Sequence, residues 1–367
     1  MASNDSGHGA PTAEEDRGKA HGGVRISVLD TSPIVSGSTA RQALLDTVDL
    51  AVSADELGYH RYWVPEHHSM RGVACSAPAV LAGHLANATR RIRVGAGGVL
   101  LPNHAPIVVA EQFGTLAALH PGRIDLGIGR ALGGPRRAAD AVRSETERTA
   151  KSFRLQITEL LGYFDGASDD GVRAVPAIGN RPAIWILGSS AASARLAASL
   201  GLAYAFAHHL NPGEAVNAVR GHRVLSRSPE PAGPTPPALI SVSVIAADTD
   251  ERAEWLAGPS RLKLLSRAQG RRILLPRPEE AAAHPYTDAD RVEIAERTKG
   301  VIVGSPETVR RRLQRLLDET GADELMVTTP VYDPGDRRRS YELLSGIAPS
   351  LRSACGSPQA AEVDQEV

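Results

Sequence analysis

The chain has 367 residues, 42% of them hydrophobic, with 41 Lys and Arg against 42 Asp and Glu. That balance leaves no surplus of basic side chains, which excludes a nucleic-acid or membrane-surface role built on phosphate attraction. Two cysteines, Cys75 and Cys355, build neither a disulfide framework nor a metal cluster, and no apolar run reaches the length of a membrane span.

Residues 1–23 lack the apolar stretch of a signal peptide and read as a disordered leader. Residues 24–350 read as one folded domain and 351–367 as a flexible tail, which together point to a cytoplasmic protein. From Arg25 onward, short Val- and Ile-rich runs alternate with helix-period segments. Arg25–Asp30 is the first expected strand, followed by a helix over Thr39–Leu57 that is capped near Ser38 and ended by Gly58. Arg61–Glu66 is the second strand and Pro78–Ala88 its helix. Arg91–Leu101 is the third, with a helix over Ile107–Leu119. Arg123–Gly129 is the fourth; a glycine-rich loop follows, then one helix over Ser144–Phe164. Ala183–Leu187 and Ala203–Ala207 are strands five and six, with helices over Ser190–Leu200 and Pro212–Arg223. The proline-rich connector Pro229–Pro237 leads to a seventh strand at Leu239–Ala246. The eighth, Glu324–Thr328, follows a helix over Pro306–Glu319, and a last helix covers Arg338–Ile347.

These runs are too uniformly apolar for one-sided sheets and suit parallel strands buried on both faces. The expected fold is therefore α/β: a (β/α)8 TIM barrel with an insertion between strands seven and eight, an open doubly wound sheet being the competing arrangement. The insertion, Arg267–Arg291, is long, charged and proline-containing, the composition of either a lid or a linker.

In such a barrel the chemistry lies where strands end at their C-termini. Glu66-His67-His68 sits at one such end and offers a proton-transfer group near neutral pH. Side chains alternate along a strand, so the two histidines cannot both face inward. Gly95-Ala96-Gly97-Gly98 inside strand three implies a bulge, or a backbone that a ligand approaches closely. The Gly127–Gly134 stretch, GIGRALGG, is a poor dinucleotide fingerprint because the third glycine is misplaced. Its Arg130, at a strand exit, suits a phosphate. Leu187-Gly188-Ser189-Ser190 opens a helix, where amides and hydroxyls collect anions or simply cap the helix.

Pro65-Glu66-His67-His68, the Gly97-Gly98 strand, the block from Leu101 to Arg130 and Trp185–Ser190 together resemble the bacterial luciferase-like flavin monooxygenases. The resemblance spans roughly Arg25 to Ile347, and PGRIDLGIGR is its most specific block. It implies a barrel that binds reduced FMN at its C-terminal mouth, with no metal. A separate flavin reductase supplies the reduced FMN, and molecular oxygen is used to oxidise a small organic substrate, in some relatives an antibiotic intermediate. Carried over, Gly97, Gly98, Arg130, Leu132, Gly188, Ser189 and Ser190 form the cofactor-binding set. Arg130 and Ser190 sit at the phosphate, and Gly97-Gly98 lies beneath the ring as a bulge or non-prolyl cis bond. His67 and His68 are the catalytic pair. Ser189 replaces a glutamate of luciferase itself and Gly129 a cysteine, so light emission is not implied. Family members also commonly form homodimers through helices of the N-terminal half, for which Leu44, Leu45, Val48 and Leu50 are candidates. A deazaflavin-dependent dehydrogenase on the same fold and a non-catalytic flavin-binding protein are the alternatives.

Overall fold

The computed structural model describes residues 24–166, 171–227 and 234–353. The expected leader and most of the expected tail lie outside the described residues, as do Cys355 and much of the proline-rich connector. Nine strands run in chain order: β1 (Arg25–Leu29), β2 (Arg61–Val64), β3 (Arg93–Leu100), β4 (Ile124–Gly129), β5 (Ala183–Gly188), β6 (Ala203–Ala207), β7 (Ala238–Ala246), β8 (Val301–Gly304) and β9 (Glu324–Thr328). Every ladder is parallel. β1 through β7 pair in sequence, and β9 pairs with both β7 and β1 to close an eight-stranded ring. The expected (β/α)8 barrel is therefore formed, and the open sheet is ruled out by this closure.

The additional strand β8 escaped the sequence reading because VIVG is only four residues long. It is accommodated because β7 has nine residues. Leu239–Ser243 of β7 pair with β9, while Ser243–Ala246 run past the ring and pair with β8. The insertion is regular as well. A helix at Asp250–Ala268 is followed by short helices at Pro278–Ala282 and Asp288–Arg297. Leu275 is buried and bridges to Val35 in the loop after β1, where its carbonyl accepts from the Ser36 amide at 2.9 Å.

Other boundaries moved for local reasons. The helix expected over Ser144–Phe164 is two helices, Glu145–Thr149 and Phe153–Asp165, and a further short helix, Arg136–Val142, precedes them. Ser144 and Ser152 each restart the chain as N-caps, accepting from Glu147 N and Leu155 N. The first helix (Ala40–Glu56) is capped by Thr39 in place of Ser38, and Gly58 follows it with φ +78°. Leu50 and Val48 of this helix pack into the core, and Leu45 alone of the four proposed dimer leucines and valines is strongly exposed. The helix therefore presents no continuous apolar face. Beyond Ser350, Leu351 is fully buried and its carbonyl accepts from Val24 N at 3.3 Å, so the folded part extends past the expected boundary.

Two cores result. The larger fills the space between strands and helices, with Tyr62, Val94, Phe113, Ile128 and Ile186 among its members. The smaller lies inside the ring and joins Leu29, Trp63, Trp185, Ala205, Leu239 and Met326. Below it, toward the N-terminal strand ends, the interior is ionic. Asp125 accepts from Arg61 Nη1 at 2.9 Å, Trp63 Nε1 at 2.9 Å and Arg93 Nη2 at 2.7 Å. Arg61 also donates from Nε to Glu324 at 2.8 Å, and Ser27 donates to the same carboxylate. The Arg61 guanidinium stacks 4.6 Å from the Trp185 ring centroid.

Burial opposes the charge of Asp125, but Arg61 and Arg93 outweigh it and hold the carboxyl below its usual range. Its contribution to stability is complete above about 3.8, the ordinary aspartate value, and fades as pH falls from there toward the folded-state pKa. Replacing Asp125 with Ala leaves two buried guanidinium groups short of a partner and should cost about 3–5 kcal/mol. Denaturant unfolding at neutral pH checks the loss. The same titration repeated near pH 3 should show a smaller difference between wild type and variant.

Candidate active site

At the C-terminal mouth of the ring lies a cavity of about 440 Å³, within the range of cofactor and small-ligand sites. Its position follows from what the strands turn inward. β3 and β4 offer Gly97, Gly98 and Gly129, and β6 offers Ala205 and Ala207, so the upper interior is left empty. The glycines are required by packing: a Cβ on Gly97 would lie 2.9 Å from Trp63 Cε3, and one on Gly98 would lie 2.5 Å from the Gly127 carbonyl. The Gly97-Gly98 peptide is cis and the β3–β4 register shifts between Gly97 and Val99, which is the bulge expected from the glycine pair. Trp63 and Trp185, edge to face at 5.6 Å between centroids, lie beneath, with Trp63 reaching the cavity.

The exits of β4 and β5 meet this cavity. Arg130 lines it and makes no hydrogen bond or ion pair among the described residues. From β5 come Gly188, Ser189 and Ser190. Gly188 has no space for a side chain, since a Cβ would fall 2.0 Å from Ser193 Oγ. Main-chain atoms of the two serines are anchored: Asn211 donates to the Ser189 carbonyl at 3.0 Å, and Ser193 donates from Oγ to the Ser190 carbonyl at 2.6 Å. Ser190 stands at the N-cap of helix Ala191–Ser199, yet its hydroxyl does not cap that helix. A held backbone with unpartnered hydroxyls and a neighbouring helix N-terminus is an anion-receiving arrangement. Leu132 is not part of it; the Arg130–Gly134 turn sends Leu132 outward, 39% exposed, and brings Gly133 to the cavity.

The two histidines separate as alternation requires. His67 lines the cavity, with its amide donating to the Cys75 carbonyl at 3.1 Å and its Nδ1 buried without a partner. His68 lies outside the cavity lining and bonds through Nε2 to Glu66 Oε1 at 2.8 Å. Glu66, read from sequence as part of the histidine cluster, is a buried junction. It also takes His104 Nε2 at 2.9 Å and the Leu100 amide at 3.0 Å, tying the β2 exit to the end of β3. His104 carried no signal of its own in the sequence. Burial resists ionisation of Glu66, but the His104 hydrogen bond and charge and the Leu100 amide hold its pKa below the usual range. His209 and Ser241, from the exit of β6 and from β7, also line the cavity and were missed. Their spacing of 32 residues hides a contact that only barrel closure creates. No residue of Arg267–Arg291 lines the cavity, and the segment is partly helical, with no lining contact of the kind a lid over this opening would show.

The sequence model of the luciferase-like monooxygenases matches residues 24–324. This chain belongs to the luciferase-like monooxygenase family. It is 39% identical over 329 residues to a luciferase-like monooxygenase of Escherichia coli, covering 89% of this chain and 98% of that one. The crystal structure of apo-MsnO8 superposes with a TM-score of 0.81 at 39% identity, covering 88% of this chain and 98% of the other. The oxygenating constituent of 3,6-diketocamphane monooxygenase from Pseudomonas putida, in complex with FMN, gives a TM-score of 0.68 at 24% identity, over 89% and 98% of the two chains. The latter likeness is one of fold. As a luciferase-like monooxygenase the chain is an oxidoreductase, and among its described residues no helix is long and apolar enough to cross a membrane.

Burial lowers the His67 pKa, the Glu66 charge raises it and His68 lowers it again. Replacing Glu66 with Gln keeps the shape and removes the negative charge that favours an imidazolium. His67 should then titrate at lower pH than in the wild type, which an NMR titration of its ring Cε1–H resolves. An upward displacement would mean that the carboxylate is not acting on His67 as its position implies.

Proposed function

We propose that this chain is a reduced-FMN-dependent monooxygenase of small organic substrates, served by a separate flavin reductase and using molecular oxygen. The observation that carries the reading is Arg130, a cation without a partner among the described residues, lining a cavity together with Ser189 and Ser190, whose hydroxyls are likewise unpartnered there. The cavity fits the group. Arg130, the Ser190 hydroxyl and the first amides of helix Ala191–Ser199 would hold the phosphate. Gly97, Gly98 and Gly188, without side chains, would offer the ring a flat approach, with the Leu187 side chain beside them.

Reduced FMN, when bound, supplies the electrons with which oxygen is activated for transfer to the substrate. The remaining work belongs to the chain. Trp63, Leu29, Leu239 and Met326 give the inner cavity an apolar lining that excludes water. His67, which burial keeps neutral to lower pH than an exposed imidazole, is placed to hold or accept a proton there. A cavity-facing imidazole of this kind has no use in a non-catalytic flavin carrier, which favours the enzymatic reading. Association into a homodimer belongs to the same reading, through a surface other than the first helix.

The test is the phosphate. Arg130→Ala should weaken FMN binding by roughly tenfold to a hundredfold, from a charge-assisted bond of about 1.5–3 kcal/mol. The effect should shrink as salt rises, since Arg130 is exposed. Riboflavin, which has no phosphate, should bind wild type and variant alike. Calorimetric titration of both flavins measures this, with melting temperature followed in parallel. Equal losses for the two flavins would place the phosphate elsewhere.

A further inference from the structure

The cavity wall holds a second imidazole whose protonation is set by its neighbours. His209, in the turn after β6, lines the cavity wall. Its Nδ1 lies 2.9 Å from Ser241 Oγ and 3.4 Å from the Ser241 carbonyl. The carbonyl can only accept. The Ser241 hydroxyl has its own acceptor, the Phe206 carbonyl at 3.3 Å, and so turns a lone pair toward the ring. Both contacts therefore call for a proton on Nδ1. In a neutral imidazole the other nitrogen, Nε2, is then a bare acceptor. Nε2 makes no hydrogen bond among the described residues. Neutrality is the favoured state: burial lowers the His209 pKa, the Ser241 carbonyl raises it and the neighbouring His67 lowers it.

The contrast with His67 is informative. His67 Nδ1 has no partner, so nothing in the protein selects between its tautomers. Beyond the two imidazoles, the ionisable side chains on the cavity wall among the described residues are Glu66 and Arg130. Glu66 is already engaged by His68, His104 and Leu100, and Arg130 stands at the mouth. The inner wall otherwise consists of Leu29, Trp63, Leu239 and Met326, with Thr31 and Ser241 as further polar groups.

We infer that His209 is a specificity-determining residue whose Nε2 accepts a hydrogen bond from the substrate, so that the preferred substrate has an apolar body and a hydroxyl or N–H donor. This deepens the flavin monooxygenase reading and rests on it for the word substrate; the acceptor itself is a property of the wall. An ether or ester of the same shape would leave Nε2 buried opposite an oxygen lone pair, the arrangement by which polar sites reject close analogues.

The experiment compares 2-naphthol with 2-methoxynaphthalene, which share an apolar body and differ in the donor. Binding is measured by calorimetry to the full chain, with and without saturating oxidised FMN. Wild type should prefer the naphthol by roughly threefold to tenfold, the span of one net hydrogen bond. His209→Phe, which keeps an aromatic ring and removes the acceptor, should abolish the preference while leaving the ether's affinity within about twofold. A second readout needs no ligand. In ¹⁵N-histidine-labelled wild type, the His209 resonances, assigned by their loss in His209→Phe, should show a protonated Nδ1 and an unprotonated Nε2 at neutral pH. A preference that survives His209→Phe, no preference in the wild type, no naphthol binding, or a protonated Nε2 would each overturn the assignment. Loss of FMN binding with the naphthol preference intact would instead overturn the flavin reading and leave the acceptor standing.

Discussion

The Asp125 carboxylate is the contact on which the interior depends. Four groups of the barrel wall converge there: β4 supplies the acid, β2 supplies Arg61 and Trp63, and β3 supplies Arg93. Arg61 carries the link onward to Glu324 of β9, whose carboxylate also holds Ser27 of β1. Two positive and two negative side chains thus close the bottom of the ring with their charges matched. Buried ions are costly unless so paired, and the same cost makes any single replacement more damaging than removal of the whole set. Because Trp63 Nε1 is one of the donors, the aromatic floor of the cavity is fixed by the ionic layer beneath it. Position at the bottom is thereby transmitted to the surface where a ligand would lie.

A second carboxylate performs the corresponding task at the mouth. Glu66 joins the β2 exit to the β3 exit through His68, His104 and the Leu100 amide, so the loop bearing His67 cannot move independently of the glycine floor. A third, Asp30, lies outside the ring and ties the end of β1 to the first helix through Thr47 and to the last helix (Pro334–Ile347) through Arg337. Each of the three is held below its ordinary pKa despite burial. Rigid strands and anchored exits allow the functional groups that remain, Arg130, Ser190, His67 and His209, to keep free atoms facing the cavity. Preorganisation of this kind removes the ordering cost from ligand binding.

The division between what was legible and what was not follows chain distance. Strands of uniform Val and Ile composition announce a parallel barrel, and local pattern can find both the Gly97-Gly98 pair within a strand and Arg130 and Gly188–Ser190 at strand exits. Alternation along β2 correctly forbids His67 and His68 from sharing a direction, but it does not say which turns inward. That choice is made by Glu66, whose partners at Leu100 and His104 are over thirty residues away. His209 and Ser241 become neighbours only when β6 and β7 pair, and Asp125 reads as an anomalous charge within RIDLGIG until Arg61 and Arg93 arrive beside it. Leu132 adjoins Arg130 in sequence, yet the turn brings Arg130 and Gly133 to the cavity lining and leaves Leu132 off it.

Partner accounting then separates scaffold from function. Most buried polar side chains must be satisfied, so those that are say little about activity. Arg61, Arg93, Arg337 and Glu66 are each paired within the fold, Arg337 with Asp30 although its Nε is left without a partner among the described residues. Arg130, with the same guanidinium as the first three, has no partner among the described residues although it lies beside anchored main chain. The fold gains nothing by holding a cation, a free hydroxyl and a helix start around one opening. Under the proposed reading that arrangement would receive an anion from outside, and a ring attached to it would come to rest where β3 and β4 present Gly97, Gly98 and Gly129 to the cavity. His67 and His209 line the same cavity as Arg130 and Ser190, so under the proposed reading one opening would serve both a phosphate-bearing ligand and a donor-bearing one.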